Sequence, residues 1–166
     1  REMRPSDDKI LMSRLIDRQL RPLFDNHIHN DIQVMLTTLS YDVINEHDMI
    51  SAVGASAALA ISDIPWNGPT ASVRVGMIDG ELVLNPTHAE RENTELDLVV
   101  AASETDVLMI EAVASEVSEE KMLEALVFGK KWAMKISSFI AEIAAKIGKE
   151  KIVIAKEDED TELKSF

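Results

Sequence analysis

Apolar positions along the chain change period several times, and each change marks an element. From Ile10 to Leu20 the apolar residues Leu11, Met12, Leu15, Ile16 and Leu20 recur at helical spacing. Arg14, Arg18 and Arg21, at i, i+4 and i+7, share another arc of the same helix. Pro22 closes it. After a polar loop, Asp25 to Asn30, the β-rich run Ile32 to Leu39 is long enough for a core strand. Glu46-His-Asp48 stands where it would cap a helix from Met49 to Ile61. Small residues dominate that helix, Ser51-Ala-Val-Gly-Ala-Ser-Ala-Ala-Leu-Ala60, which suits a central position close to a neighbour. Two prolines and an Asn-Gly in Asp63-Ile-Pro-Trp-Asn-Gly-Pro69 then break regular structure.

Strand patterns resume at Ala71 to Ile78 and Glu81 to Leu84, joined by the hairpin dipeptide Asp79-Gly80. Leu96 to Ala102 and Val107 to Val113 form a second hairpin around Ser103-Glu-Thr-Asp106. Ser118, as N-cap, and the first-turn acids Glu119 and Glu120 start a helix of about 30 residues. It keeps helical spacing from Met122 to Ile147 and stops at Gly148. Lys151-Ile-Val-Ile-Ala155 and the acidic Glu157-Asp-Glu-Asp160 read as a connector.

A length of 166 residues and 46% hydrophobic content allow one sizeable core and one compact domain with a tail. Six of the 17 lysines and arginines fall in the first 21 residues, although the net charge is −13. Such an acidic chain is no nonspecific nucleic-acid coat, so any RNA contact is confined to local basic patches. Having no cysteine excludes disulfides, cysteine-zinc sites and thiol chemistry. No run of about 18 apolar residues is present to cross a bilayer, and no signal pattern opens the chain. The expectation is a soluble, cytoplasmic protein without a membrane partner. The chain starts on Arg1 with no initiator methionine and closes on Lys-Ser-Phe166, and so reads as a fragment.

The arginine stripe is the first candidate for chemistry, because guanidinium groups make paired hydrogen bonds to phosphate oxygens. The competing reading ties these arginines to the chain's own carboxylates. His27 and His29 lack a third ligand and read as solvated. Gly54, Gly76 and Gly80 have no phosphate-loop spacing and read as turn or close-packing positions. Asp97 and Glu111 lie in apolar runs. Structural hydrogen bonding is the favoured role for Asp97, with residual metal binding as the alternative; whether the two share a face depends on register. Trp66 and Trp132 read as packing residues.

Several anchors then occur in one order: Arg4-Pro-Ser6, Arg14-Leu-Ile-Asp-Arg18, Arg21-Pro-Leu-Phe24, Val53-Gly-Ala-Ser-Ala-Ala-Leu59, Ile64-Pro-Trp-Asn-Gly-Pro69, Arg74-Val-Gly76, Leu84-Asn-Pro-Thr87, Leu96-Asp-Leu-Val-Val-Ala101 and Val107-Leu-Met109. Together they resemble the first RNase PH-like domain of the bacterial polynucleotide phosphorylase family. The resemblance implies an α/β (α+β) fold, RNase PH-like or ribosomal protein S5 domain 2-like, with a mixed sheet packed by helices and a long C-terminal helix. Residues 1–147 would be the C-terminal part of that domain, and 148–166 a connector toward an all-helical domain. It further implies a homotrimeric ring that admits single-stranded RNA and degrades it 3′ to 5′ with inorganic phosphate, releasing nucleoside diphosphates. Mg²⁺ would serve the parent enzyme, in the second RNase PH-like domain, and RNA-degradation complexes are possible partners.

The same resemblance sets two tests for this piece. The family's catalytic domain cradles phosphate with a Gly-Ser-Ser-Ser stretch ahead of the small-residue helix, where this chain has Asn45-Glu-His-Asp48, whose two carboxylates oppose an anion. The family's metal site uses two aspartates and a lysine. Here Asp97 fits the second aspartate, Val99 stands at the lysine and Arg91 falls at the first aspartate. The expectation is therefore no catalytic residue and no metal bound by this fragment, with a scaffold and RNA-guiding role. Arg1 is similar to the last arginine of a channel-facing Phe-Phe-Arg-Arg loop, and Arg4 follows it. Arg1, Arg4, Arg14, Arg18 and Arg21 are the candidate RNA contacts. The alternative is a purely structural oligomerisation module with no RNA contact.

Overall fold

The computed structural model describes residues 4–155. Helix α1 (Asp7–Leu20) runs into a 3-10 turn at Arg21–Leu23, where Pro22 occupies a first-turn position that needs no N–H donor. Helix α2 (Asp48–Ile61) follows, then strands β1 (Ala71–Ile78) and β2 (Glu81–Leu84). A short helix α3 (His88–Arg91), strands β3 (Leu96–Ala102) and β4 (Val107–Ala114) and the 29-residue helix α4 (Glu119–Ile147) complete the order. The four strands form one sheet in the order β2-β1-β3-β4. Every ladder in it is antiparallel, so the α/β class stands while the mixed sheet expected from the resemblance does not. Among the described residues no helix is long and apolar enough to cross a membrane.

The two inner strands, β1 and β3, are covered on both faces. Val73, Val75 and Met77 of β1, with Leu96, Leu98, Val100 and Ala102 of β3, pack against Ala125 and Ala133 of α4. On the opposite face Val99, Ala101 and Met109 meet Leu15, Ile16 and Leu20 of α1, Met49, Ala52, Ala55 and Leu59 of α2, and Trp66. β1 is therefore buried from Ala71 through Met77, its polar Ser72 and Arg74 included. The expected hairpin turn is present, with φ of 52° at Asp79 and 80° at Gly80, a backbone that suits this dipeptide. Ser118 accepts from the Lys121 N–H at 3.4 Å as the N-cap of α4.

Several expectations are corrected. Ile32 to Leu39 forms no strand; Met35 is 80% and Leu39 93% exposed. Strand propensity needs a ladder partner to be realised, and neither edge of the sheet, β2 or β4, pairs with this run. Leu11 lies at the rim of the apolar arc of α1 and is 60% exposed, whereas Gln19, at the arc's centre, is fully buried. Gly54 faces open space, with no atom within 4 Å of the place a Cβ would take. Close packing falls instead at Gly129 of α4, where a Cβ would stand 2.9 Å from Val100 Cγ2 and 3.1 Å from Val75 Cγ2. Gly76 also sits tight, 3.0 Å from Pro86 by the same measure.

The residues after α4 turn back onto α2. The Lys149 N–H donates to Ile61 O at 3.0 Å and the Ile152 N–H to Asp63 O at 2.8 Å. The Lys151 ammonium donates to Leu59 O (2.8 Å), Ala60 O (3.1 Å) and Ser62 O (2.7 Å), carbonyls at the C-terminal end of α2. Burial lowers the Lys151 pKa, and Asp63 opposes that shift. Glu157 to Asp160 lies outside the described residues.

Two measurements check this packing. Gly129→Ala should lower stability by about 1–2 kcal/mol, because overpacking against two valines exceeds the gain in helix propensity, whereas Gly54→Ala should raise it by up to about 1 kcal/mol. Denaturant unfolding of both variants reads the contrast. Lys151→Met should cost about 1 kcal/mol and speed hydrogen exchange at the Ile152 amide, while Lys151→Arg, which keeps charge and donors, should retain part of that protection.

Candidate functional site

An arginine in the middle of a strand buried on both faces needs charged partners, and Arg74 of β1 has two. Its Nη2 donates to Asp48 Oδ2 at the start of α2, and its Nη1 to Asp97 Oδ1 on β3. Arg74 is 8% exposed. Burial alone would lower its pKa, but Asp48 and then Asp97 outweigh that effect and raise it. Arg91 completes the cluster from α3. Its Nε and Nη2 grip Asp97 Oδ2 at 3.1 and 2.8 Å, and its Nη1 reaches Glu46 Oε1 at 2.8 Å. Glu46 also lies 3.2 Å from His88 Nδ1, and His88 Nε2 is 2.5 Å from the Tyr41 hydroxyl.

Local structure holds these groups in place. Thr87 and Glu90 form a reciprocal capping box that starts α3 and so aims Arg91. The Thr87 N–H and hydroxyl lower the Glu90 pKa; this cap is intact above the ordinary carboxylate range and is lost as pH falls through that lowered value. The Asp42 carboxylate accepts the N–H groups of Ile44 and Asn45, both at 2.9 Å, which closes the loop carrying Tyr41 and Glu46. The Asn45 backbone and side chain, followed by the Ile44 N–H, hold the Asp42 pKa down. Burial, then Glu46, Asp42 and Asp48, raise that of Tyr41. At His47, the N-cap of α2, no side-chain cap bond forms.

The sequence-level expectations meet this geometry unevenly. Both carboxylates expected to repel phosphate at the start of α2 are present, and each faces an arginine: Glu46 with Arg91, Asp48 with Arg74. Both Asp97 oxygens are taken by guanidinium groups, so the residues do not fit a divalent ion. Among the described residues no three His, Asp or Glu side chains gather as a metal site would require. Register answers the question left open for Asp97 and Glu111. Val99 pairs with Glu111, and Asp97 lies two residues from Val99, so both carboxylates share one face. Glu111 is exposed there and accepts from Arg18 at 2.9 Å.

Of the candidate RNA contacts, Arg1 lies outside the described residues. Arg4 precedes α1 and is exposed. Arg14 and Arg18 on α1, and Arg21 just after it, point outward. Arg18 bridges to Glu111, and Arg21 holds Asp17 through two donors, the Nε bond measuring 3.1 Å. Arg4 and Arg14 make no ion pair among the described residues. Trp66 is a packing residue whose Nε1 donates to Leu20 O at 3.1 Å, and Trp132 packs against Phe128 with Lys135 over its ring. The central role of Arg74 and Arg91 was missed. An arginine inside the run Ala-Ser-Val-Arg-Val-Gly-Met, and the Thr87-x-x-Glu90 capping pattern, were the available signals.

Because the cluster is largely closed from water, Arg74→Met should strand Asp48, leave Asp97 with Arg91 alone, and cost about 3–5 kcal/mol. Combining it with Asp48→Leu should recover part of that loss, as read by urea unfolding of the single and double variants.

Comparison with known proteins places this architecture. Two models of one family match in succession: the 3′ exoribonuclease family, domain 1, over residues 1–65, and its domain 2 over residues 68–131. The chain is 51% identical, over 100% of its length, to a polyribonucleotide nucleotidyltransferase of Alkaliphilus oremlandii, and 47% identical, over 93%, to one of Clostridioides difficile. It spans 24% and 22% of those two proteins. The crystal structure of rice (Oryza sativa) Rrp46 superposes with a TM-score of 0.67 at 16% identity, covering 86% of this chain and 68% of that one, which shows a common fold. With consecutive family matches over most of its residues, whole-length relatives and a shared architecture, the chain belongs to the 3′ exoribonuclease, or RNase PH, family.

Proposed function

We propose that this chain is a segment of a polynucleotide phosphorylase, an enzyme that shortens RNA from its 3′ end by phosphate attack and releases nucleoside diphosphates. Within that enzyme it serves as ring scaffold and RNA guide, and the phosphorolytic chemistry resides elsewhere in the polypeptide. Phosphorolysis brings an anionic phosphate to an anionic phosphodiester, so the reacting centre needs open positive charge. The observation that carries this reading is the internally paired charge cluster. Both oxygens of Asp97, the one carboxylate in the position of a family metal ligand, are held by Arg74 and Arg91. Each of those guanidinium groups is in turn paired with two carboxylates, so its charge is balanced within the chain.

RNA guidance rests on Arg1, Arg4 and Arg14, with Arg18 and Arg21 in a lesser role because Glu111 and Asp17 already engage them. Single-strand channels combine such cations for the backbone with aromatic platforms for bases. A homotrimeric ring, magnesium in the second RNase PH-like domain, a cytoplasmic location and RNA-degradation partners belong to the same proposal. The second reading, a structural assembly module that never touches RNA, draws its support from the two arginines tied to the chain's own acids.

Incubated with RNA, phosphate and magnesium, the isolated chain should release no nucleoside diphosphate; measurable release refutes the non-catalytic role. In the full-length enzyme, Arg1→Ala with Arg4→Ala should weaken RNA binding and lower the slope of log affinity against log salt by about 1 for each phosphate no longer neutralised. An unchanged salt series, with no RNA crosslinks near Arg1 or Arg4, would favour the purely structural module.

A further inference from the structure

Two buried polar atoms of β1 go without partners. Ser72 is 1% exposed and Arg74 8%, yet neither Ser72 Oγ nor Arg74 Nε makes a hydrogen bond among the described residues. Such groups are rare in folded proteins, and each needs a reason. Both residues line one cavity of about 450 Å³, shared by the start of α2, the edge of β1 and the later half of α4. The strand edge itself is incomplete there. Asn85 takes the Arg74 N–H on its Oδ1 at 2.9 Å and donates its own N–H to Arg74 O at 2.7 Å. Alternate residues of an antiparallel strand turn their peptide groups to the same side, so Ser72 aims its N–H and carbonyl toward that edge as well. Pro86 follows Asn85, and β2 has no residue that pairs with Ser72.

The lining selects a chemical class. Ile50 and Val53 of α2, with Ile136 and Phe139 of α4, give the cavity hydrocarbon walls, and the Phe139 ring is 61% exposed. Its polar groups are of both kinds. Ser72 Oγ, Arg74 Nε and Asn85 Nδ2 can donate, while Glu46 keeps Oε2 as an acceptor because its bonds to Arg91 and His88 use Oε1. Orthophosphate fits poorly, since it would bring negative charge against Glu46 and Asp48, which also line the cavity. A nucleobase has apolar faces and carries donors and acceptors side by side on its edge. We propose that this cavity holds one base of single-stranded RNA, splayed out of the strand, with its face on Phe139 and its edge toward Ser72, Asn85 and Glu46. This rests on the RNA-guiding role and adds to it a subsite that reads a base, separate from the arginines of α1.

The probes are adenosine and uridine, titrated into the whole chain and followed by NMR chemical shifts; ribose and orthophosphate serve as controls. At least one nucleoside should bind with a dissociation constant on the order of 10⁻³ M and shift the Val53 and Ile136 methyl signals, which ribose and orthophosphate should leave in place. Phe139→Ala should weaken binding about tenfold through lost stacking, and Ser72→Ala about threefold through a lost hydrogen bond. The first variant changes an exposed side chain and the second removes an unsatisfied hydroxyl, so both should keep the circular-dichroism spectrum. Absence of nucleoside binding, or binding indifferent to both changes, overturns the proposal. So does displacement of the nucleoside by orthophosphate, which assigns the cavity to an anion, or self-association of the chain that Phe139→Ala abolishes, which assigns it to a second copy. Failure here with RNA crosslinks retained near Arg4 sinks the base subsite alone, whereas nucleoside binding without those crosslinks sinks the arginine path alone.

Discussion

The burial of one guanidinium constrains much of this structure. Arg74 stands in a strand covered on both faces, and a charge there is tolerated only if opposite charges converge on it. Asp48 comes from the first turn of α2 and Asp97 from the neighbouring strand, so α2 must begin where its first carboxylate reaches β1. Arg91 extends the same constraint to α3, and Glu46 carries it to the loop before α2. Hydrophobic contact presses α2 onto the sheet, but it is non-directional. The paired charges supply direction, fixing which end of the helix lies over which strand.

Guanidinium and a divalent ion are both cations, yet they differ in what they offer a reaction. A metal with an open coordination position can polarise a phosphoryl oxygen or lower the pKa of bound water. An arginine offers only N–H donors, and part of those of Arg74 and Arg91 already go to carboxylates. The cluster at Asp97 is an internally balanced set of charges in which each arginine faces two carboxylates. A related economy operates on α1, where Arg18 and Arg21 face outward but are engaged by Glu111 and Asp17.

Much of the fold was legible because it is local. The strands from Ala71, Glu81 and Leu96, the Asp79-Gly80 turn and the long final helix follow from period, turn chemistry and capping within a few residues. What escaped depends on distant partners. Ile32 to Leu39 has every local mark of a strand but finds no ladder, and Gly54 and Gly129 look alike in sequence while one faces open space and the other two valines. The site divides in the same way. The sequence motifs located Asp97 and the acids before α2, but the arginine that lies against each became visible only when β1, α2 and α3 were brought together.

Helix α2 is gripped at both ends by charged side chains from elsewhere in the chain. Arg74 holds its first residue, and Lys151 holds the carbonyls of its last turn while neighbouring amides pair with Ile61 and Asp63. The helix thus forms a strut between the strand at the middle of the sheet and the polypeptide emerging past α4. The same helix therefore has its N-terminal carboxylate anchored in the sheet and its C-terminal carbonyls anchored by the residues after α4.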